Sequence, residues 1–76
     1  MPEGDLERQL LEAHARGDGV SLATLYAEAA AQSEAFGEID EACFRYTQAY
    51  VFALENGLNP LADTVHRQLL AHGREE

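Results

Sequence analysis

Apolar residues recur every three or four positions along this chain and do not alternate with polar ones, so the pattern predicts helix throughout. Four segments follow from it. The first, from about Asp5 to Arg16, carries Leu6, Leu10 with Leu11, Ala13 and His14 on one side. "GDG" at Gly17–Gly19 stops it, because glycine accepts the left-handed conformation that follows a helix C-terminus. The second, about Val20 to Phe36, has Leu22, Leu25, Tyr26, Ala29, Ala30, Ser33 and Phe36 as its stripe, with Asp18 or Ser21 as its cap. Gly37 ends it. The third runs from about Ile39 to Asn56, with Glu38, Asp40 and Glu41 at the positive end of its dipole. Gly57 ends that one. The fourth is expected to open with Asn59 as cap and Pro60 as first helical residue, where a missing N–H costs nothing. It carries Leu61, Val65, Leu69 and Leu70 and stops at Gly73, leaving Arg74–Glu76 as a solvated tail.

The third segment breaks the usual pattern. Ile39, Ala42, Cys43, Tyr46, Ala49, Tyr50, Ala53 and Leu54 already make a wide core face. Phe44 and Val51 lie beyond it on a second stripe, and Phe52 adds to the excess. A surface helix normally keeps one apolar face. Three readings stay open: the helix has neighbours on both sides within the chain, or the three residues form a homodimer interface, or they receive a different protein or peptide.

The glycines carry a period. Gly17, Gly37 and Gly57 are 20 residues apart, and overlaying the three segments aligns Leu22, Ala42 and Ala62. It also aligns Tyr26, Tyr46 and His66, then Ala29, Ala49 and Leu69, then Ala30, Tyr50 and Leu70. Small, aromatic and small residues recur in order, so one helix with its turn is read as a repeat unit.

The central stretch "GEIDEACFRYTQAY" resembles the middle of a tetratricopeptide repeat (TPR). The family's turn glycine and acidic residue fall on Gly37 and Glu38, and its small, aromatic and small positions on Ala42, Tyr46 and Ala49. Upstream, Tyr26 stands at the large anchor of the family's first helix, and Ala29 and Ala30 at its small pair. The resemblance covers residues 22 to 56, about half the chain. Ser33 departs from the usual aromatic, the third helix overruns the family's length, and Pro60 comes later than the repeat-closing proline. The resemblance implies an all-α fold of four antiparallel helices packed as TPR-like hairpins in a right-handed stack, with protein or peptide binding as the usual role. One version of that role clamps a C-terminal carboxylate with basic residues. Here Thr24, Ala27, Ala31, Glu34 and Ala35 supply no basic group, so that clamp is not expected.

Size and charge narrow the function. A chain of 76 residues is one domain, residues 1–76, and buries only roughly 60–65% of its unfolded surface. Its single cysteine, Cys43, allows no internal disulfide, which leaves close helix packing or a second subunit as support. The lone thiol fits a reducing cytoplasm. Net charge is −9, and the five basic residues, all arginine, are scattered, so nucleic acid and anionic membranes are not expected partners. The apolar runs are too short to span a bilayer, and the N-terminus lacks the charged-then-apolar layout of a secretory signal. Alanine richness with arginine in place of lysine hints at a GC-rich bacterial source.

The chemistry-bearing residues do not assemble into a site on spacing. Cys43 shares a stripe with Ile39, Tyr46 and Tyr50, which reads as a buried thiol rather than a nucleophile. His66 and His72 are six apart on different helix faces and cannot share a metal locally. No Glu-x-x-His pair, phosphate loop or calcium loop occurs. We therefore expect no catalytic residue, no cofactor and no metal. The expected function is a small non-catalytic protein-interaction module using an apolar helix face with Phe44, Val51 and Phe52, its partner a protein or peptide or a second copy as homodimer. The alternative is a small enzyme or ligand-binding protein with a pocket around Cys43, Tyr46, Tyr50 and His66.

Overall fold

A computed structural model describes the backbone of residues 2–73 and side chains from residue 4 onward; the Arg74–Glu76 tail lies outside the described residues. The described residues are all-helical: α1 (Pro2–Arg16), α2 (Gly19–Ala35), α3 (Ile39–Glu55) and α4 (Asn59–Ala71). The helix α1 begins three residues earlier than the stripe predicts, running through Gly4.

Three turns of one design join the helices. Gly17, Gly37 and Gly57 take φ of 67°, 80° and 70°, a left-handed conformation that costs other residues about 1–2 kcal/mol. Each donates its N–H three residues back, to His14, Glu34 and Leu54. The next residue, Asp18, Glu38 or Leu58, donates five back to Ala13, Ser33 or Ala53, then accepts the first bond of the new helix from Leu22, Ala42 or Ala62. The turn thus repeats every 20 residues in every bond. It also corrects the start of α4. The cap is Leu58, not Asn59, and Pro60 sits one residue inside the helix. The backbone turn, rather than the side chain at the cap, sets the boundary. Only Asp18 adds a side-chain cap, taking Ser21 N–H at 3.1 Å and the Ser21 hydroxyl at 2.7 Å. Those two bonds hold its carboxyl below its usual range.

Such short turns make successive helices antiparallel neighbours. α1 packs on α2, α2 on α3 and α3 on α4. The Cα atoms fill a slab of 32 × 29 × 14 Å rather than a rounded bundle. A slab has no deep centre, so its core is a set of seams. Among the described residues, eight of the fourteen buried apolar ones are alanine, which is what lets neighbouring helices approach closely at so little depth. The repeat positions are buried together: Leu22, Ala42 and Ala62; Ala29, Ala49 and Leu69; and also Ala13, Ser33 and Ala53.

Four apolar stripe residues are not covered. Leu11, Leu54 and Leu70 sit at the edges of their stripes and stay exposed. Phe36 lies past the end of α2, at its cap, and is 73% exposed.

Candidate functional site

The three residues singled out on α3 part company. Phe44 is 63% exposed and Val51 44%, seven residues apart along the outer side of the helix. Leu54, one turn further and slightly round the helix, is 52% exposed and was missed as a surface residue because it fell at the edge of the core stripe. Phe52 does not join this face. Its ring stacks on Tyr26 at 5.9 Å with planes 4° apart, and His14 meets it edge-on at 6.2 Å. It belongs to the seam formed with Leu10, Ala13 and Leu22. So α1 covers one side of α3 through His14, and the outer side stays open.

Tyr26 and its partners form a set that recurs. His14 Nε2 and the Tyr26 hydroxyl share a hydrogen bond of 2.9 Å, and Phe52 stacks on the tyrosine. Adding 20 to each position gives Glu34, Tyr46 and His72. There the Tyr46 hydroxyl donates to Glu34 Oε1 at 3.0 Å, and His72 Nε2 donates to Glu34 Oε2 at 2.6 Å. One constellation is built twice from different residue types. The first is aromatic; the second is a polar tie joining the ends of α2 and α4 to the middle of α3. His72, foremost, and Tyr46 hold the Glu34 carboxyl below its usual range against the opposing effect of burial. Burial and the bond to Glu34 push the Tyr46 phenol up to about 12.

The residues of the alternative pocket are packed rather than open. Cys43 and Tyr46 are buried with Ala30, Val65 and Leu69. Tyr50 and His66 stack on each other at 5.6 Å and 23°.

A surface cleft of about 270 Å³ lies beside α1, against the end of α2 and the start of α3. The C-terminal parts of α1 and α3 meet through His14 and Phe52, while their N-terminal parts stand on either side of the end of α2. Leu6, Leu10 and Ala29 give the cleft apolar walls, and Glu7, Glu38 and Glu41 ring it. Arg45 also lines it, but its guanidinium is engaged by Glu41 Oε2, at 2.8 Å and 3.2 Å.

Among the described residues no group of three or more His, Cys, Asp or Glu is placed to hold a metal ion, and no helix is long and apolar enough to cross a membrane. Compared with protein-family models, curated proteins and solved structures, the chain matches none.

Proposed function

We propose that this chain is a small protein-association module of the TPR-like helical kind, working in the cytoplasm without chemistry of its own. The observation that supports this reading is the outer side of α3. Phe44, Val51 and Leu54 stand together in water on one helix. Apolar groups gathered in this way gain about 25 cal/mol for each Å² that a partner covers, and such patches commonly mark contact surfaces.

The charges beside the patch bear on the partner. Asp40 and Glu55 stand at its two ends. A two-fold dimer with antiparallel α3 helices would set these carboxylates against each other. With −9 on each chain, a neutral or basic partner protein is the better complement than a second copy.

Exchanging Phe44 and Val51 for serine tests the reading. Extract of the source organism is passed over the wild-type chain and over the Phe44→Ser/Val51→Ser variant, and the bound proteins are quantified by mass spectrometry. A partner held by the first and lost by the second, at unchanged melting temperature, is the expected result. Identical captures would sink the proposal. Sedimentation velocity run alongside identifies self-association, should the partner be a second copy.

A further inference from the structure

The cleft beside α1 is the site where the repeat elsewhere packs a half-buried aromatic pair. Shifting its ten lining residues by 20 gives packed positions at nine; the tenth, Phe36, becomes the exposed Asn56. Leu6 becomes Tyr26 and Gln32 becomes Phe52, the two rings stacked at 5.9 Å. Leu10, Ala29 and Ser33 become Ala30, Ala49 and Ala53, all buried. The rim changes most. Glu7, Glu38, Glu41 and Arg45 become Ala27, Leu58, Leu61 and Val65, which all pack into the apolar seams. The same set of positions therefore occurs twice, with α1 lying less closely on α2 than α2 does on α3. In the interior it is filled with two rings and lined with apolar side chains. At the α1 end it is left open and rimmed with carboxylates.

We infer that this cleft receives one bulky apolar side chain, aromatic by preference, from a basic peptide segment of another protein. The size fits one side chain. At about 270 Å³ the cleft falls just under the roughly 300–1,000 Å³ usual for small-molecule sites. The interior copy shows what the geometry holds: a tyrosine ring with a second ring against it. The charge selects the flanks. Arg45 is bound to Glu41, so Glu7 and Glu38 are left to meet the incoming chain. Cationic residues on either side of the inserted ring would be steered in by that rim and by the net charge of −9. This site borders the outer face of α3 at Glu41 and does not rest on the reading of that face.

The test uses short peptides and the whole chain. Acetyl-Lys-Tyr-Lys-amide is titrated into ¹⁵N-labelled protein and followed by amide shifts. Shifts centred on Leu6, Leu10, Ala29 and Phe36 are expected. Acetyl-Lys-Ala-Lys-amide and acetyl-Glu-Tyr-Glu-amide should each bind about tenfold more weakly, the first for want of a ring and the second for want of charge. The variant Leu6→Tyr/Gln32→Phe rebuilds the interior ring pair inside the cleft and should abolish the shifts. Should that variant fail to fold, Glu7→Gln/Glu38→Gln touches only the exposed rim and should weaken binding about tenfold as well. Equal binding of the tyrosine and alanine peptides would overturn the inference, since it means general attraction to an acidic surface. Shifts scattered away from the cleft, no shifts at all, or binding unaffected by both variants would overturn it too. Loss of the peptide shifts in Phe44→Ser/Val51→Ser would move the site to α3 and likewise refute it.

Discussion

Replacing Glu34 by glutamine removes the charge at the centre of the tie between α2, α3 and α4 while keeping the shape of the side chain. The carboxylate accepts from His72 at 2.6 Å and from Tyr46 at 3.0 Å. Hydrogen bonds to a charged group contribute about 1.5–3 kcal/mol each. The Glu34 and His72 side chains are 28% and 21% exposed, so water competes for both and the low end applies. Glutamine keeps one carbonyl acceptor but turns an amide N–H₂ toward a donor, so one bond is lost outright. The expected cost is about 2 kcal/mol, or about 10 °C in melting temperature for a chain of this size. The pH dependence tests the cause. The folded state holds the Glu34 carboxyl below its ordinary value of 4.5. The charge therefore contributes fully above that value, and the contribution is lost as pH falls through the lower folded-state value. Urea denaturation followed by circular dichroism, at a series of pH values from about 6 to about 3, should show a gap between wild type and Glu34→Gln that closes at the acid end. A gap of the same size at both ends would mean that glutamine harms packing instead of removing a charge, and the reasoning would fail.

Three further outcomes follow from the same structure. Phe52→Ala empties the stack between Tyr26 and His14 and should cost about 2 kcal/mol or more, whereas Phe44→Ala, a change at an exposed position, should stay within about 0.5 kcal/mol; urea midpoints separate the two. Alanine at Gly17, Gly37 or Gly57 meets no neighbouring atom within 4 Å, so each should cost only the left-handed strain, about 1 kcal/mol, and the three values should agree within about half of that. Unequal costs would show that the turns are not equivalent. Cys43 is 3% exposed, so a thiol reagent should label it only as fast as the chain opens, with a rate that rises with urea; rapid labelling of the native protein would revive the reading of an accessible pocket around it.

The helices, their glycine stops and the alanine seams were legible in the sequence because each rests on local physics: a 3.6-residue period, a left-handed turn, a small side chain where helices approach. The start of α4 misled because "NP" carries a strong side-chain signal. The turn at Gly57 copies those at Gly17 and Gly37, and it places the cap at Leu58. The place of Phe52 is not legible in the sequence for a different reason. On α3 alone it lies off the main stripe, and Tyr26 from α2 together with His14 from α1 covers it. The Glu34–His72 bond spans 38 residues, so no local pattern announces it. Yet a signal existed. The set His14, Tyr26 and Phe52 and the set Glu34, Tyr46 and His72 share their spacings, and extending the 20-residue comparison from apolar to polar residues brings out both. The cleft was legible in the same way: Leu6 and Gln32 stand where the next unit has Tyr26 and Phe52, and Glu38 and Glu41 where it has Leu58 and Leu61.

Departures from the period also give the slab a direction. At the positions of Ala23 and Cys43, both buried between helices, α4 carries Asp63, which is exposed. At the positions of Ala27 and Thr47 it carries Arg67, also exposed. Packing another helix there would strip water from a carboxylate and a guanidinium. Without a well-fitted partner that desolvation outweighs what Leu70 beside them would gain. The outer side of α4 is therefore suited to water, as the polar face of a terminal repeat is. At the α1 end the substitutions act differently. Leu6 and Gln32 leave space where Tyr26 and Phe52 fill it, and the charges stand on the rim rather than across the floor. A ring can enter there while Glu7 and Glu38 stay hydrated. The same repeat has thus been altered to repel a neighbour at one end and to leave a place for a side chain at the other, and the −9 charge of the chain decides which side chains approach it.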